Sequence, residues 1–277
     1  MKHLLCFGFG FSAQHLAAIL DKSEWRISGT SRSVEGVAAI TALGYEGLLF
    51  DELKSIPNSA THILSSVPPD KSGDPVLHHF ANALSGHHFE WAAYLSTTGV
   101  YGDRGGALID ETAELGPGGE RGQARVDAES QWLAIANLPL HIFRLPGIYG
   151  PGRNQLESVQ GGTAKRIVKA GQIFSRIHVE DIAGILKASI AKPNPQQIYN
   201  VADDEPCPPQ DVVKFACELL GVAPPPEIPL EQAELSPMAR SFYADSKRVS
   251  NERIKSELGY KLKYPNYRVG LTALLKS

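Results

Sequence analysis

The chain has 277 residues, of which 43% are hydrophobic and 21% are charged, a composition typical of globular proteins with ample material for a core. Its formal net charge is −3, so it lacks the basic excess that nucleic-acid binding requires. The three cysteines are widely spaced, and no apolar run approaches about 18 residues. We therefore expect no metal site, no membrane span and a cytoplasmic location.

Through about residue 150, short apolar runs alternate with segments of helical periodicity, which is typical of βαβ units. The first predicted strand, residues 4–7, leads through a glycine turn into a helix whose apolar positions run from 13 to 20. Further strands are predicted at 26–29, 48–50, 62–65, 92–95 and 140–143, and helices at 37–44, 76–84 and 121–137. This order predicts an α/β fold with a Rossmann-type doubly wound parallel sheet.

Glycine and proline crowd residues 146–162, a stretch unsuited to regular helix or strand. We interpret it as the crossing from a dinucleotide-binding domain, residues 1–150, into a smaller and mainly helical C-terminal lobe, residues 151–277, with segments that can interweave. In this lobe we predict helices at 180–190, 209–220 and 246–258 and a strand at 199–201. Ser246 is the predicted cap of the last helix, and Gly259 its end.

The glycine turn reads Gly8-Phe9-Gly10-Phe11-Ser12-Ala13. Between a strand and a helix, such a turn presents backbone N–H groups and the positive end of the helix dipole to a pyrophosphate. Glycine allows the phosphates to approach the backbone. A tight turn with no ligand is the alternative, but the position after the first strand of a βαβ unit favours a bound dinucleotide.

The end of the second strand distinguishes NAD from NADP, because an acid there accepts hydrogen bonds from a ribose hydroxyl. This chain has Gly29-Thr30-Ser31-Arg32 instead, with no acid before Glu35. An arginine can bind a 2′-phosphate in a bidentate manner, and a serine hydroxyl can add a donor. NADP is therefore favoured over NAD, the alternative being that Arg32 is a solvated residue at a helix start.

Four later blocks resemble a known family. They are LSTTGVYGD at 95–103, RLPGIYGPG at 144–152, RIHVEDIA at 176–183 and IYNVADDEP at 198–206. They look like the motifs of extended short-chain dehydrogenases/reductases, the group of nucleotide-sugar epimerases and dehydratases, and follow that family's order. With the glycine turn they span nearly the whole chain.

The resemblance implies a role for each matched position. Thr97 lies where the family has its catalytic serine or threonine, and Asp51 matches its adenine-contacting acid. The predicted cofactor contacts are Gly8, Gly10, Phe11, Ser12, Ser31, Arg32, Asp51, Glu52, Ser66, Val67, Pro68, Ser96, Thr97, Arg125, Pro146, Gly147 and Ile148. The candidate substrate contacts are Tyr101, Tyr149, His178 and Arg240, with a structural, hydrogen-bonded role as the alternative for His178.

The family's Tyr-x-x-x-Lys pair is absent. In that pair the lysine lowers the tyrosine pKa from about 10 towards neutrality, so that the phenol can transfer a proton. Here Arg121 and Arg125 fall on the tyrosine and lysine positions. Both should lie on one helix face, and Arg125 can still bind the nicotinamide ribose, but an arginine offers donors only and stays protonated.

The chain thus resembles atypical members of the extended family, and three interpretations remain. It can be a redox enzyme, in which Thr97, Tyr101, Tyr149 or a water transfers the proton and Arg121 holds an anionic substrate such as a phosphate or carboxylate. The expected substrate is a small molecule, either phosphorylated or a nucleotide sugar. The chain can bind NADP without turnover, as a sensor or regulator. In the third, the glycine turn holds a different nucleotide.

Overall fold

The computed structural model describes residues 1–276. Its strands are β1 (Lys2–Phe7), β2 (Trp25–Ser31), β3 (Glu46–Leu49), β4 (His62–Ser65), β5 (Trp91–Thr97), β6 (Leu108–Ile109), β7 (Leu140–Leu145), β8 (Gly147–Tyr149), β9 (Arg166–Val168), β10 (Arg176–His178), β11 (Gln197–Asn200), β12 (Glu227–Pro229) and β13 (Arg248–Val249).

The α-helices are α1 (Phe11–Ile19), α2 (Val34–Ala42), α3 (Pro75–Gly86), α4 (Glu120–Leu133), α5 (Gln155–Gln160), α6 (Val179–Ala191), α7 (Pro209–Leu220), α8 (Pro237–Ser241), α9 (Glu252–Ser256) and α10 (Tyr267–Lys276). Within residues 1–276, no helix combines the length and the apolar character needed to cross a bilayer.

Seven strands form the main sheet, in the order β11-β7-β5-β4-β1-β2-β3, and every pairing in it is parallel. The strand order reverses at the boundary between β1 and β4, which is the point where doubly wound sheets bind their ligands. The predicted α/β fold with a Rossmann-type sheet is confirmed.

Helices cover both faces of the sheet because its strands bury side chains in both directions. Leu4 and Cys6 of β1 belong to one core cluster, with residues of α1 and α6. Leu5 and Phe7 belong to the other, with residues of α3 and α4. This alternation is the period-two pattern of a strand buried on both sides.

The sequence beyond residue 150 contributes to this sheet as well. β11 pairs with β7 at the edge of the sheet, and α6 packs on α1. The remaining C-terminal elements include α5, α7 and α10, which share a third core cluster around Tyr149 and Tyr267. Segments on either side of residue 150 therefore interweave.

The predicted helix over 246–258 is wrong. Ser246 lies in an extended segment, where its N–H donates to Asp103 Oδ1 at 2.8 Å and its carbonyl accepts from the N–H of Gly106 at 2.9 Å. These bonds to a distant loop are incompatible with a helix at Ser246, and the only helix within 246–258 is the short α9. The helix predicted at 121–137 ends earlier, at Leu133.

Candidate dinucleotide and substrate site

The glycine turn is fixed against the two neighbouring strands. The Gly8 N–H donates to Thr30 Oγ1 at 2.9 Å, and the Ser66 hydroxyl donates to the Gly8 carbonyl at 3.1 Å. Gly8 has φ +79°, and a Cβ placed on it would lie 2.9 Å from Ser66 Oγ. Glycine is therefore required at position 8 by the fold itself.

Gly10 differs, because nothing in the fold occupies the space where its side chain would be. No heavy atom lies within 4 Å of a Cβ built at this exposed position. Gly10 is the N-cap of α1, and no side chain caps the helix there. The open space and the uncapped N–H groups fit a phosphate at the helix start.

The two residues after Gly10 are partly enclosed. The Phe11 ring reaches the loop after β8, where its Cζ would lie 3.3 Å from a Cβ on Gly150. Ser12 is buried. These contacts dock α1 onto the C-terminal part of the chain and leave the Gly10 side of the turn open.

The loop after β2 contains the predicted 2′-phosphate contacts. Ser31 Oγ accepts from the N–H of Ser33 at 3.2 Å, and Ser33 caps α2. Arg32 is exposed. Its charge reaches the loop after β4, because bonds from Ser72 and then the charges of His78 and Arg32 lower the pKa of Asp70.

The other predicted cofactor positions lie at the carboxyl ends of the strands, as the glycine turn does. Asp51 and Glu52 form an exposed turn after β3. The pairing of Phe7 with Ser65 and of Thr97 with Leu145 brings the ends of β1, β4, β5 and β7 to one side of the sheet. The positions that follow or end these strands there are Ser66, Val67, Pro68, Thr97, Pro146, Gly147 and Ile148.

Thr97 ends β5 and caps the short turn after it. Its Oγ1 accepts from the N–H of Gly99 at 3.1 Å, which orients the hydroxyl and leaves its proton for another partner. A Cβ built on Gly122 of α4 would lie 3.2 Å from the Gly99 carbonyl. The start of α4 therefore lies directly against the Thr97 turn.

The two arginines of α4 have different surroundings. Arg125 Nη1 donates to the Tyr94 hydroxyl and to the Leu95 carbonyl, each at 3.0 Å, which ties α4 to β5. Burial raises the pKa of Tyr94 to about 12, against the effect of Arg125, so this phenol stays protonated at neutral pH. Arg121, one turn earlier, is exposed.

A buried ion pair below Thr97 was not predicted. Glu129 Oε2 accepts from Arg144 Nη2 at 2.7 Å, and each side chain is 3% exposed. The Ser96 hydroxyl donates to Glu129 Oε1 at 2.5 Å, and Arg144 Nη1 donates to the Tyr101 hydroxyl at 2.8 Å. The only hint in the sequence is that Glu129 follows Arg125 by one helical turn.

This network corrects two predicted contacts. The Ser96 side chain is directed into the core, so its hydroxyl is not available to a cofactor. Tyr101 is fully buried, and its hydroxyl also donates to Asn200 Oδ1 at 2.8 Å. Burial raises the pKa of Tyr101, with Arg144 opposing the shift. Tyr101 is therefore a structural residue and not placed to contact a substrate.

Three other predicted substrate contacts are bonded or packed within the protein. Tyr149 is buried against His178, and burial raises its pKa. His178 is fully buried, its Nδ1 accepts from the Glu180 N–H at the start of α6, and burial lowers its pKa to about 4. His178 is therefore the N-cap of α6, which agrees with the hydrogen-bonded structural role that was the alternative to a substrate contact. Arg240 is exposed and donates to the Ala233 carbonyl of its own lobe.

The whole chain has a similar counterpart among solved structures. A conserved protein of unknown function from Silicibacter pomeroyi is 52% identical, with a TM-score of 0.96 and coverage of 100% of this chain and 99% of that one. The chain belongs to the family of this conserved protein. No family model matches the sequence.

More distant similarities also extend over nearly the full length. The chain is 26% identical to Protein YeeZ of Escherichia coli K12, over 96% of this chain and 97% of YeeZ. It is 26% identical to a proposed NAD-dependent epimerase/dehydratase from Methylobacillus flagellatus, with a TM-score of 0.76 and coverage of 99% and 97%. The Methylobacillus flagellatus structure confirms the resemblance to the epimerase/dehydratase group in fold.

Two further structures share the fold alone. A human epimerase family protein, solved with NADPH, is 17% identical with a TM-score of 0.75, and covers 100% of this chain and 99% of its own. MoeE5, solved with UDP-glucose and NAD, is 18% identical with a TM-score of 0.77, and covers 100% and 98%.

Proposed function

We propose that the chain is an NADP-dependent oxidoreductase, related to nucleotide-sugar epimerases and dehydratases, that acts on a nucleotide sugar. The observation that carries the proposal is the geometry of the glycine turn. Gly8 is required by the fold, whereas Gly10 leaves an open space at the uncapped start of α1. Because this uncapped helix start follows β1, at the point where the strand order reverses, a phosphate of a dinucleotide fits the open space.

Residues at the carboxyl ends of the other strands would supply the remaining contacts of a dinucleotide. Ser31 and Arg32 would bind the 2′-phosphate, and Asp51 the adenosine end. Thr97, Pro146 and the first residues of β8, Gly147 and Ile148, would border the nicotinamide. When bound, this ring supplies hydride transfer. Among the solved structures of this fold, the human epimerase family protein contains NADPH, which agrees with a nicotinamide cofactor here.

Replacing Arg32 by alanine should weaken NADP binding by about 10- to 100-fold, because a charge-assisted pair with the 2′-phosphate is lost. NAD binding should not change, since NAD lacks that phosphate. Isothermal titration calorimetry of the protein with each dinucleotide measures the dissociation constants of NADP and NAD.

Arg26→Ala provides the matched control for this experiment. Arg26 lies near the start of β2, whereas Arg32 follows the end of that strand, and Arg26 is also exposed but bonds Glu46. Its replacement should leave both dissociation constants unchanged. Equal loss of NAD and NADP affinity in Arg32→Ala, or tighter binding of NAD than of NADP to the unmodified protein, would contradict the assignment of NADP.

Catalysis would depend on Thr97 and Arg121. The Thr97 hydroxyl accepts one hydrogen bond and keeps its proton for a substrate oxygen. Arg121 is exposed at the start of α4 and can bind an anionic group of the substrate. The proton would come from the Thr97 hydroxyl through a relay or from a water.

Thr97→Val and Arg121→Ala should each lower NADPH oxidation in the presence of nucleotide sugars or small carbonyl compounds by at least about tenfold, with NADP affinity unchanged. Absorbance of NADPH during turnover, together with an NADP titration of each variant, checks both statements. Val is nearly isosteric with Thr, so a lower rate of NADPH oxidation in Thr97→Val is due to the loss of the hydroxyl group.

A second function is favoured by the same residues: the protein binds NADP without turnover, as a sensor or regulator. Tyr101 and Tyr149 are buried with raised pKa values, and Arg125 is bound to β5. Neither of these two phenols is therefore placed to transfer a proton at the site. Tight NADPH binding without oxidation across a broad panel of carbonyl compounds and nucleotide sugars would select this function.

A further inference from the structure

The Thr97 turn is anchored at both of its ends. Ser96, which precedes Thr97 on β5, donates its hydroxyl to Glu129 Oε1 at 2.5 Å. At the other end of the turn, the Tyr101 hydroxyl accepts from Arg144 Nη1 at 2.8 Å. Glu129 and Arg144 form the buried ion pair, so both ends of the turn are attached to the same pair of side chains.

Both anchors are shielded from water. Ser96 is 4% exposed and Tyr101 is fully buried. The Arg144 guanidinium also lies over the Tyr101 ring, with Cζ 4.8 Å from the ring centroid. Hydrogen bonds to buried charged groups are stronger than those between neutral groups, because water does not compete for the partners. The Tyr101 hydroxyl also donates to Asn200 Oδ1 at 2.8 Å, which fixes its orientation.

The Thr97 hydroxyl depends on these anchors for its position. Its Oγ1 accepts from the Gly99 N–H, within the same turn. This bond orients the hydroxyl in the turn but does not fix the turn relative to the sheet. Successive residues of a strand point to opposite faces, so Thr97 points away from the ion pair that Ser96 contacts. The anchors therefore act on Thr97 through the backbone.

The ion pair also joins the other parts of the proposed site. Glu129 lies on α4, eight residues after Arg121. Arg144 lies on β7, two residues before Pro146. The pair thus fixes the Thr97 turn relative to the helix that bears Arg121 and to the segment that would border the nicotinamide.

We propose that Ser96 and Tyr101 are positioning residues that hold the Thr97 hydroxyl in place for proton transfer. They act through the buried ion pair of Glu129 and Arg144. This inference rests on the proposed function, because it concerns the hydroxyl to which that function assigns proton transfer. A purely structural role would affect the stability of the whole molecule, whereas a positioning role affects the Thr97 turn and the turnover number selectively.

Ser96→Ala and Tyr101→Phe each remove one hydroxyl and keep both members of the ion pair. Each variant should lower the kcat of NADPH oxidation about tenfold, with any carbonyl compound of the panel that the unmodified protein reduces. The reason is that a displaced Thr97 hydroxyl transfers its proton less efficiently. The dissociation constant of NADP should not change, because neither hydroxyl is available to the cofactor.

Two matched controls lose a hydroxyl of the same kind elsewhere. The Tyr260 hydroxyl donates to Oδ1 of the buried Asp181 at 2.9 Å. The Ser189 hydroxyl is buried and accepts from Nε1 of Trp91, at the other end of β5, at 3.0 Å. Tyr260→Phe and Ser189→Ala should keep the kcat of the unmodified protein, although each removes a buried hydrogen bond.

Hydrogen exchange of the Gly99 amide tests the anchoring without turnover. This N–H donates to Thr97 Oγ1, so its exchange rate depends on how often the turn opens. Measured by NMR on the protein saturated with NADP, it should exchange at least about tenfold faster in Ser96→Ala and Tyr101→Phe than in the unmodified protein. In both control variants its exchange rate should not change.

Two results would overturn the inference: a Gly99 amide that exchanges at the same rate in the anchor variants and the controls, or an unchanged kcat in the anchor variants. Ser96→Ala makes the smaller change and keeps the test decisive if circular dichroism shows that Tyr101→Phe does not fold. If the unmodified protein binds NADPH without oxidising any compound of the panel, the proposed function is contradicted. The Gly99 exchange rates then still decide whether Ser96 and Tyr101 hold the Thr97 turn.

Discussion

Replacing Glu129 by alanine should lower the free energy of unfolding by about 3–5 kcal/mol, because the change leaves the Arg144 guanidinium buried without its counter-charge. Glu129 and Arg144 are each 3% exposed and are joined by a bidentate pair, with Nη2 to Oε2 at 2.7 Å and Nε to Oε1 at 3.1 Å. Urea denaturation, with a check that the m-value is unchanged, measures the difference.

A double variant distinguishes loss of charge balance from loss of packing. In Glu129→Met with Arg144→Met, both charges are replaced by apolar side chains of similar length, so no unpaired charge remains. The double variant should therefore be more stable than Glu129→Ala by at least about 1 kcal/mol. If the double variant is less stable than Glu129→Ala, the unpaired Arg144 charge is not the cause of the lost stability, and our explanation is incorrect.

The sheet could be predicted because its signals are local. β1, β4 and β5 are short apolar runs bounded by turns and are buried on both faces, so burial and periodicity agree. The glycine turn could be placed for the same reason, since Gly8 and Gly10 lie within one strand-turn-helix unit. Family motifs then extended the prediction to Thr97 and the loop after β7.

The arrangement of the later segments depends on contacts that periodicity does not encode. Residues 246–258 contain apolar positions that suit a helix, but the backbone and side-chain bonds of Ser246 to two distant loops hold its segment extended. Partners more than 70 residues away decide this conformation. Local propensity is a weak prior against such contacts.

The same limit applies to the site. A tyrosine within a family motif can line a cleft or lie under it, and only tertiary structure decides between them. Tyr101 is buried, and its hydroxyl accepts a hydrogen bond from Arg144. Arg144 is fixed there because it neutralises Glu129. The burial of Lys247 could not be predicted either, because nothing in its neighbouring sequence indicates that a lysine is buried there.

Gly10→Ala should weaken the binding of NADP and NAD alike by about 100-fold, while the free energy of unfolding changes by less than about 1 kcal/mol. The backbone of Gly10, with φ −85° and ψ −164°, suits any residue, and no protein atom lies within 4 Å of the added methyl group. The methyl group would instead occupy the space that we assign to the pyrophosphate. Dinucleotide titration and urea denaturation of the same preparation test both parts.

Two other glycines make the comparison specific. Gly119 is likewise an N-cap without a side-chain bond, at the start of α4, and a Cβ there also meets nothing within 4 Å, so Gly119→Ala should bind NADP normally. Gly8→Ala should lose about 1–3 kcal/mol of stability as well as the cofactor, because its φ of +79° strains any other residue. If Gly10→Ala binds NADP as the unmodified protein does, the space at Gly10 is not a phosphate site, and the loss in Gly8→Ala would reflect folding alone.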